Sequence, residues 1–196
     1  MASTPFTVVY IHGFNSSPQS HKAQLLQQWL TAQHPSVQCV LPALSPFPQE
    51  AMAQLHAIVR AAPGGVGLIG SSLGGFYASY LVEHEGVPAV LINPAVRPFD
   101  TLSRYLGDNE NFHTRERYVL TQQHVDDLAA LYVPALSHPQ RVWLMVQTAD
   151  ETLDFREATQ HYVRSPALVE YGGDHSFQRI EGWFAPMLAF LQQAAS

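Results

Sequence analysis

Six short apolar runs punctuate the chain: FTVVYI (6–11), VQCVL (37–41), VGLIG (66–70), PAVLIN (88–93), RVWLMVQ (141–147) and PALVEY (166–171). Between them lie stretches with apolar residues at helical spacing. Leu25, Leu26, Trp29 and Leu30 form one stripe, expected to run from an N-cap at Ser17 and a first helical residue at Pro18 to a stop at Pro35. Leu55, Ile58, Val59 and Ala62 form the next, ended by Pro63-Gly64-Gly65, and a third begins near Ser72 and stops at Gly86. Asp154, with Glu157 three residues on, reads as a capping box opening a helix before the last run, and residues 184–193 read as a terminal helix. Strands that are apolar along their length must be covered on both faces, and strands alternating with helices pair in parallel. The pattern predicts an α/β fold with a parallel sheet between two helical layers.

Residues 97–140 break this rhythm. They lie between two strands, yet FDTLSRYL and TQQHVDDLAALYV each read as a further helix. A connection of this length predicts an inserted helical cap over a site, with a helical excursion of purely packing value as the alternative. At 196 residues, the whole of 1–196 is expected to be a single domain.

The formal net charge of −6 argues against a nucleic-acid partner or an anionic membrane surface, both of which need a basic field. Cys39 is the one cysteine, so no intramolecular disulfide can form, and its apolar setting predicts a buried, inert thiol. The first residues lack a basic n-region, and no apolar run approaches the roughly 20 residues of a spanning helix. A cytoplasmic protein without membrane insertion is expected.

The chemistry begins at Gly70-Ser71-Ser72-Leu73-Gly74, a G-x-S-x-G pattern where a strand turns into a helix. The pattern alone arises by chance in roughly one chain in fifteen of this length, so its placement gives it weight. A nucleophile elbow needs small residues two before and two after the serine, because strand and helix backbones approach closely there. Gly70 and Gly74 supply them around Ser72, whereas Ser71 is flanked by Ile69 and Leu73. Ser72 would then stand at a helix N-terminus, where developing negative charge is favoured.

A serine hydroxyl needs a base, itself oriented by an acid, in the chain order Ser, acid, His. Of ten histidines, His175 lies in the glycine-rich loop YGGDHSF directly after the last strand. His12 precedes Ser72 and is expected to shape a loop. TADETLD, after the fifth strand, offers Asp150, Glu151 and Asp154. Asp154 has a capping role to fill, and Asp174 is too close in sequence to His175 for an easy approach, so Asp150 is assigned and the other two stay as alternatives. Oxyanion donors are expected at the backbone amides of Leu73, after the nucleophile, and Phe14, in the HGFNSS loop after the first strand.

Together YIHGFNSSPQS, IGSSLGGFYA, INPAVRPF, QTADETLD and GGDHSF resemble the α/β-hydrolase superfamily, and more closely the YqiA-type small bacterial esterases. The resemblance runs along nearly the whole chain. It implies a three-layer fold without the two leading strands of the full-length form, leaving six parallel strands in the order 2-1-3-4-5-6. It also implies a serine hydrolase with Ser72, Asp150 and His175 as triad, acting on small acyl esters or thioesters with no cofactor and no metal. A binding module that keeps the pocket without the chemistry, or an amidase or peptidase on the same triad, are the competing readings. The sequence leaves the oligomeric state open.

Overall fold

A computed structural model of the chain describes residues 5–195. In order the elements are β1 (Phe6–Ile11), α1 (His21–Gln33), β2 (Val37–Val40), α2 (Pro48–Ala61), β3 (Gly65–Ser71), α3 (Leu73–Glu85) and β4 (Ala89–Ile92). They continue as α4 (Pro98–Leu102), β5 (Gly107–Glu110), β6 (Arg117–Leu120), α5 (Gln122–Ala130), β7 (Val142–Gln147), α6 (Phe155–His161), β8 (Ala167–Glu170) and α7 (Phe184–Ala194). Six strands form a parallel sheet in the order β2-β1-β3-β4-β7-β8. This is the order that the resemblance implies, and the fold is that of a reduced α/β hydrolase.

The central strands are apolar along their length because alternate residues feed two separate cores. Val9 and Ile11 of β1, Ala89 and Leu91 of β4, and Val142, Leu144 and Val146 of β7 pack on the face covered by α2 and α3. Phe6, Val8, Tyr10, Val90, Ile92 and Met145 point the other way, against Leu26 and Leu30 of α1 and Met187 and Leu191 of α7. Each burial removes apolar area from water at roughly 25 cal/mol per Å².

Strand order also places the site. From β1 the chain passes to β2 on one side and then returns to β3 on the other. Loops leaving the carboxyl ends of β1 and β3 therefore diverge and open a crevice, where ligands of such sheets bind.

The 97–140 segment contains the two expected helices, α4 and α5, and adds an antiparallel ribbon of β5 and β6. The ribbon has little apolar alternation. Its polar surface is tied by Glu110, which pairs with Arg115 at 2.8 Å and Arg117 at 3.2 Å. That is why no periodicity announced it.

Two local expectations change. Ser17-Pro18 opens a turn rather than the helix: Ser17 Oγ accepts the Gln19 amide at 3.1 Å, and α1 starts only after Ser20. Asp154 is the N-cap of α6 as expected, but its carboxylate takes the Arg156 amide at 2.9 Å in a single-sided cap, and no reciprocal bond from Glu157 forms. Cys39 is half-buried, and burial pushes its thiol up to about 11. Among the described residues no helix is long and apolar enough to cross a membrane.

Candidate active site

Ser72 lies between the last residue of β3 and the first of α3, with φ +56° and ψ −121°. This left-handed conformation is costly for a non-glycine residue, and the surrounding backbone imposes it. The Ser72 amide donates to the Ile92 carbonyl at 3.1 Å, while its own carbonyl accepts the amides of Gly75 and Ala95. The flanking glycines are needed for space. A Cβ at Gly70 would collide with the Gly74 carbonyl, and one at Gly74 would overlap the Ile11 carbonyl of β1.

The structure brings Ser72, His175 and Asp150 into one hydrogen-bonded chain. Ser72 Oγ lies 3.2 Å from His175 Nε2, and His175 Nδ1 lies 2.8 Å from Asp150 Oδ2. With Nδ1–H donating to the carboxylate, Nε2 is free to accept from the hydroxyl. The Asp150 side chain is 2% exposed and that of His175 25%. Burial on its own would raise the Asp150 carboxyl. The hydrogen bond from His175 and those from the Leu153 and Thr152 amides outweigh it and hold the group below its ordinary value. The two alternatives point elsewhere: Asp154 caps α6, and Asp174 accepts from Ser176 and Gln178.

The HGFNSS loop passes directly beside the serine. A methyl group at Gly13 would sit 3.1 Å from Ser72 Cβ and 3.6 Å from its Oγ. Phe14 follows Gly13, and Leu73 opens α3, where the first amides lack partners within the helix. His12, buried, accepts the Leu44 amide at Nε2 (3.2 Å) and donates from Nδ1 to the Gly13 carbonyl (3.0 Å). Its burial lowers its pKa.

Several residues near the site had no assigned role in the sequence reading. Asn93, at φ +40° just beyond β4, donates Nδ2 to the Asp174 and His175 carbonyls at 3.0 and 3.1 Å and accepts the Gln147 amide. Gln147 Oε1 accepts the amides of Asp174 and Gln178. These two buried amide side chains hold the His175 loop from both sides. A polar residue ending an otherwise apolar run is the signal that could have found them. The ribbon grips the other loop: Tyr118 Oη donates to Asn15 Oδ1 at 2.6 Å, Asn111 Nδ2 to the Ser16 carbonyl at 2.8 Å, and the Phe112 amide to the Asn15 carbonyl at 3.1 Å. A cleft of about 750 Å³ opens at Ser72 and His175, walled by Tyr105 and Phe112 on one side and by Lys22 and Leu25 of α1 on another.

The fold has counterparts among solved structures. Alpha/beta hydrolase domain-containing protein 10 from mouse is 14% identical, with a TM-score of 0.72 over 95% of this chain and 90% of that one. Est1E from Butyrivibrio proteoclasticus is 13% identical, with a TM-score of 0.72 over 97% of this chain and 88% of that one. The monoacylglycerol lipase of Paleococcus ferrophilus is 16% identical, with a TM-score of 0.64 over 96% and 93%. At such identities the likeness is one of fold. Sequence kinship is closer elsewhere: the family model described as "Uncharacterised protein family (UPF0227)" matches residues 7–192, so the chain belongs to that family.

Proposed function

We propose that the protein is a serine esterase that hydrolyses carboxylic esters or thioesters of acyl groups through an acyl-enzyme, with Ser72, His175 and Asp150 as its triad. The observation that carries this reading is the unbroken Ser72–His175–Asp150 chain, anchored on a strained elbow. Ser72 Oγ attacks the acyl carbonyl while its proton passes to His175 Nε2. Asp150 keeps the ring in the required tautomer and stabilises the imidazolium. The backbone amides of Phe14 and Leu73 take the oxyanion of the tetrahedral intermediate, where each donor is worth roughly 3 kcal/mol. His175 then returns the proton to the alcohol or thiol leaving group, and a water activated by the same histidine releases the acid.

The 97–140 segment serves as a cap, with the rings of Tyr105 and Phe112 forming an apolar wall of the cleft. Similarity in fold to a monoacylglycerol lipase agrees with the esterase reading. Labelling with a fluorophosphonate, which requires an activated serine and not merely a pocket, is the test. Stoichiometric modification at Ser72 is expected, and an unlabelled protein would reject the mechanism.

A further inference from the structure

Lys22 is the second residue of α1, and its side chain lines the cleft that contains Ser72 and His175. Its ammonium donates 2.8 Å to the Ser176 carbonyl. Among the described residues it makes no other hydrogen bond and no ion pair. An ammonium carries three donors, so two remain for a ligand or solvent. Burial lowers the Lys22 pKa to about 8, although Asp174 and Asp150 act to raise it. Desolvation therefore outweighs the pull of both carboxylates.

The neighbouring acids keep their charge but make their hydrogen bonds to other groups, and none forms an ion pair with Lys22. Glu151 accepts the His175 amide at 3.0 Å, and Asp174 accepts from Ser176 and Gln178. Arg179 and Glu181, of opposite sign, are exposed at the cleft edge. Lys22 also follows a helix start with no acidic residue in its first turn and no side-chain cap from Ser20. The amides and dipole at that helix end favour an anion approaching from the same direction.

We propose that Lys22 is the counter-ion for a carboxylate or phosphate on the ester substrate, so that the cleft selects anionic esters over neutral ones of equal length. This inference rests on the Ser72 esterase reading. The anion sits on either the acyl or the leaving-group side of the ester, and two matched substrate pairs separate those cases. The acyl-side pair is the 4-nitrophenyl monoester of glutaric acid against 4-nitrophenyl valerate. The leaving-group pair is the butyrate ester of 4-hydroxybutanoate against butyl butyrate.

In the wild type, kcat/KM should favour the anionic member of one pair by about tenfold or more, the effect of one charge-assisted hydrogen bond. Lys22→Met should erase that ratio and Lys22→Arg should retain most of it. A lysine that merely tethers the Ser176 loop would, on removal, slow both members of a pair alike and leave the ratio intact. An unchanged ratio in folded Lys22→Met overturns the proposal. So does a wild type that prefers neither anionic ester, whatever the variants do. Fluorophosphonate labelling in parallel separates the two failures. Labelled Ser72 with neutral esters turned over at no anionic disadvantage or advantage removes only the Lys22 role; no labelling and no turnover removes both.

Discussion

Asp150 Oδ2 lies 2.8 Å from His175 Nδ1, while its other oxygen accepts the amides of Thr152 and Leu153 at 2.8 and 2.9 Å. The carboxylate is thus fixed by the backbone before it meets the imidazole. Asp150→Asn should lower turnover by roughly 10⁴, because an amide NH₂ facing Nδ1 favours the wrong tautomer. Asp154→Ala should cost only a helix cap, about 1 kcal/mol, with activity kept. Steady-state assays and denaturant titrations of the two variants check the assignment. The reverse outcome would transfer the acid role to Asp154.

Ser72→Ala should abolish hydrolysis, a loss of roughly 10⁴–10⁶ in turnover, with the fold intact. Ser71→Ala should remain active, because Ser71 is a buried residue of β3 and its neighbour occupies the elbow. Circular dichroism and ester turnover on both proteins measure this.

Asn93 couples the end of β4 to the His175 loop through three hydrogen bonds. Asn93→Ala leaves the Gln147 amide and two loop carbonyls short of a partner, so unfolding free energy should fall by about 2–4 kcal/mol. kcat should fall with it, because the loop carries His175. A denaturant midpoint equal to wild type would contradict this reading of the loop.

Tyr118→Phe removes the bond from the ribbon to Asn15, next to the loop that carries the Phe14 amide. Loss of one such bond, about 1 kcal/mol of stability, should lower the melting temperature by about 2–4 °C and kcat several-fold. Unaltered kcat would mean that the ribbon does not position the Phe14 loop for the proposed oxyanion contact.

His12 has a lowered pKa because burial disfavours its charged form. The unfolded chain therefore takes up a proton below the ordinary value of 6.5 that the folded protein resists. Stability from this group is complete above about pH 6.5 and declines as pH falls toward the folded pKa. Wild type should lose more stability than His12→Gln between about pH 7 and pH 5. Thermal melts across that range measure the difference, and equal slopes would count against it.

The strands were legible because each apolar run is a local record of burial on two faces, and the elbow was legible because close backbone approach demands glycine at Gly70 and Gly74. The polar β5–β6 ribbon left no such record, since Glu110 pairs with Arg115 and Arg117 rather than burying a face. The start of α1 was misplaced because Ser17-Pro18 serves a tight turn as well as it would a helix, and only the Ser17–Gln19 bond distinguishes them.

What the sequence determined by itself is therefore what short-range physics can encode: periodicity, turn chemistry and the spacing of small residues around Ser72. The tertiary structure decided the rest. Ser72 meets His175 across 103 residues, and His175 meets Asp150 across 25. Four carboxylates lay within reach on paper, and Asp150 is the one that the loop after β7 delivers to the imidazole. The buried clasp of Asn93 and Gln147, and Lys22 at the cleft, have no local signature strong enough to assign, because their roles arise from strands and loops meeting at one sheet edge. Side-chain chemistry is written in the chain, but the direction in which a side chain points is set by the elements packed around it.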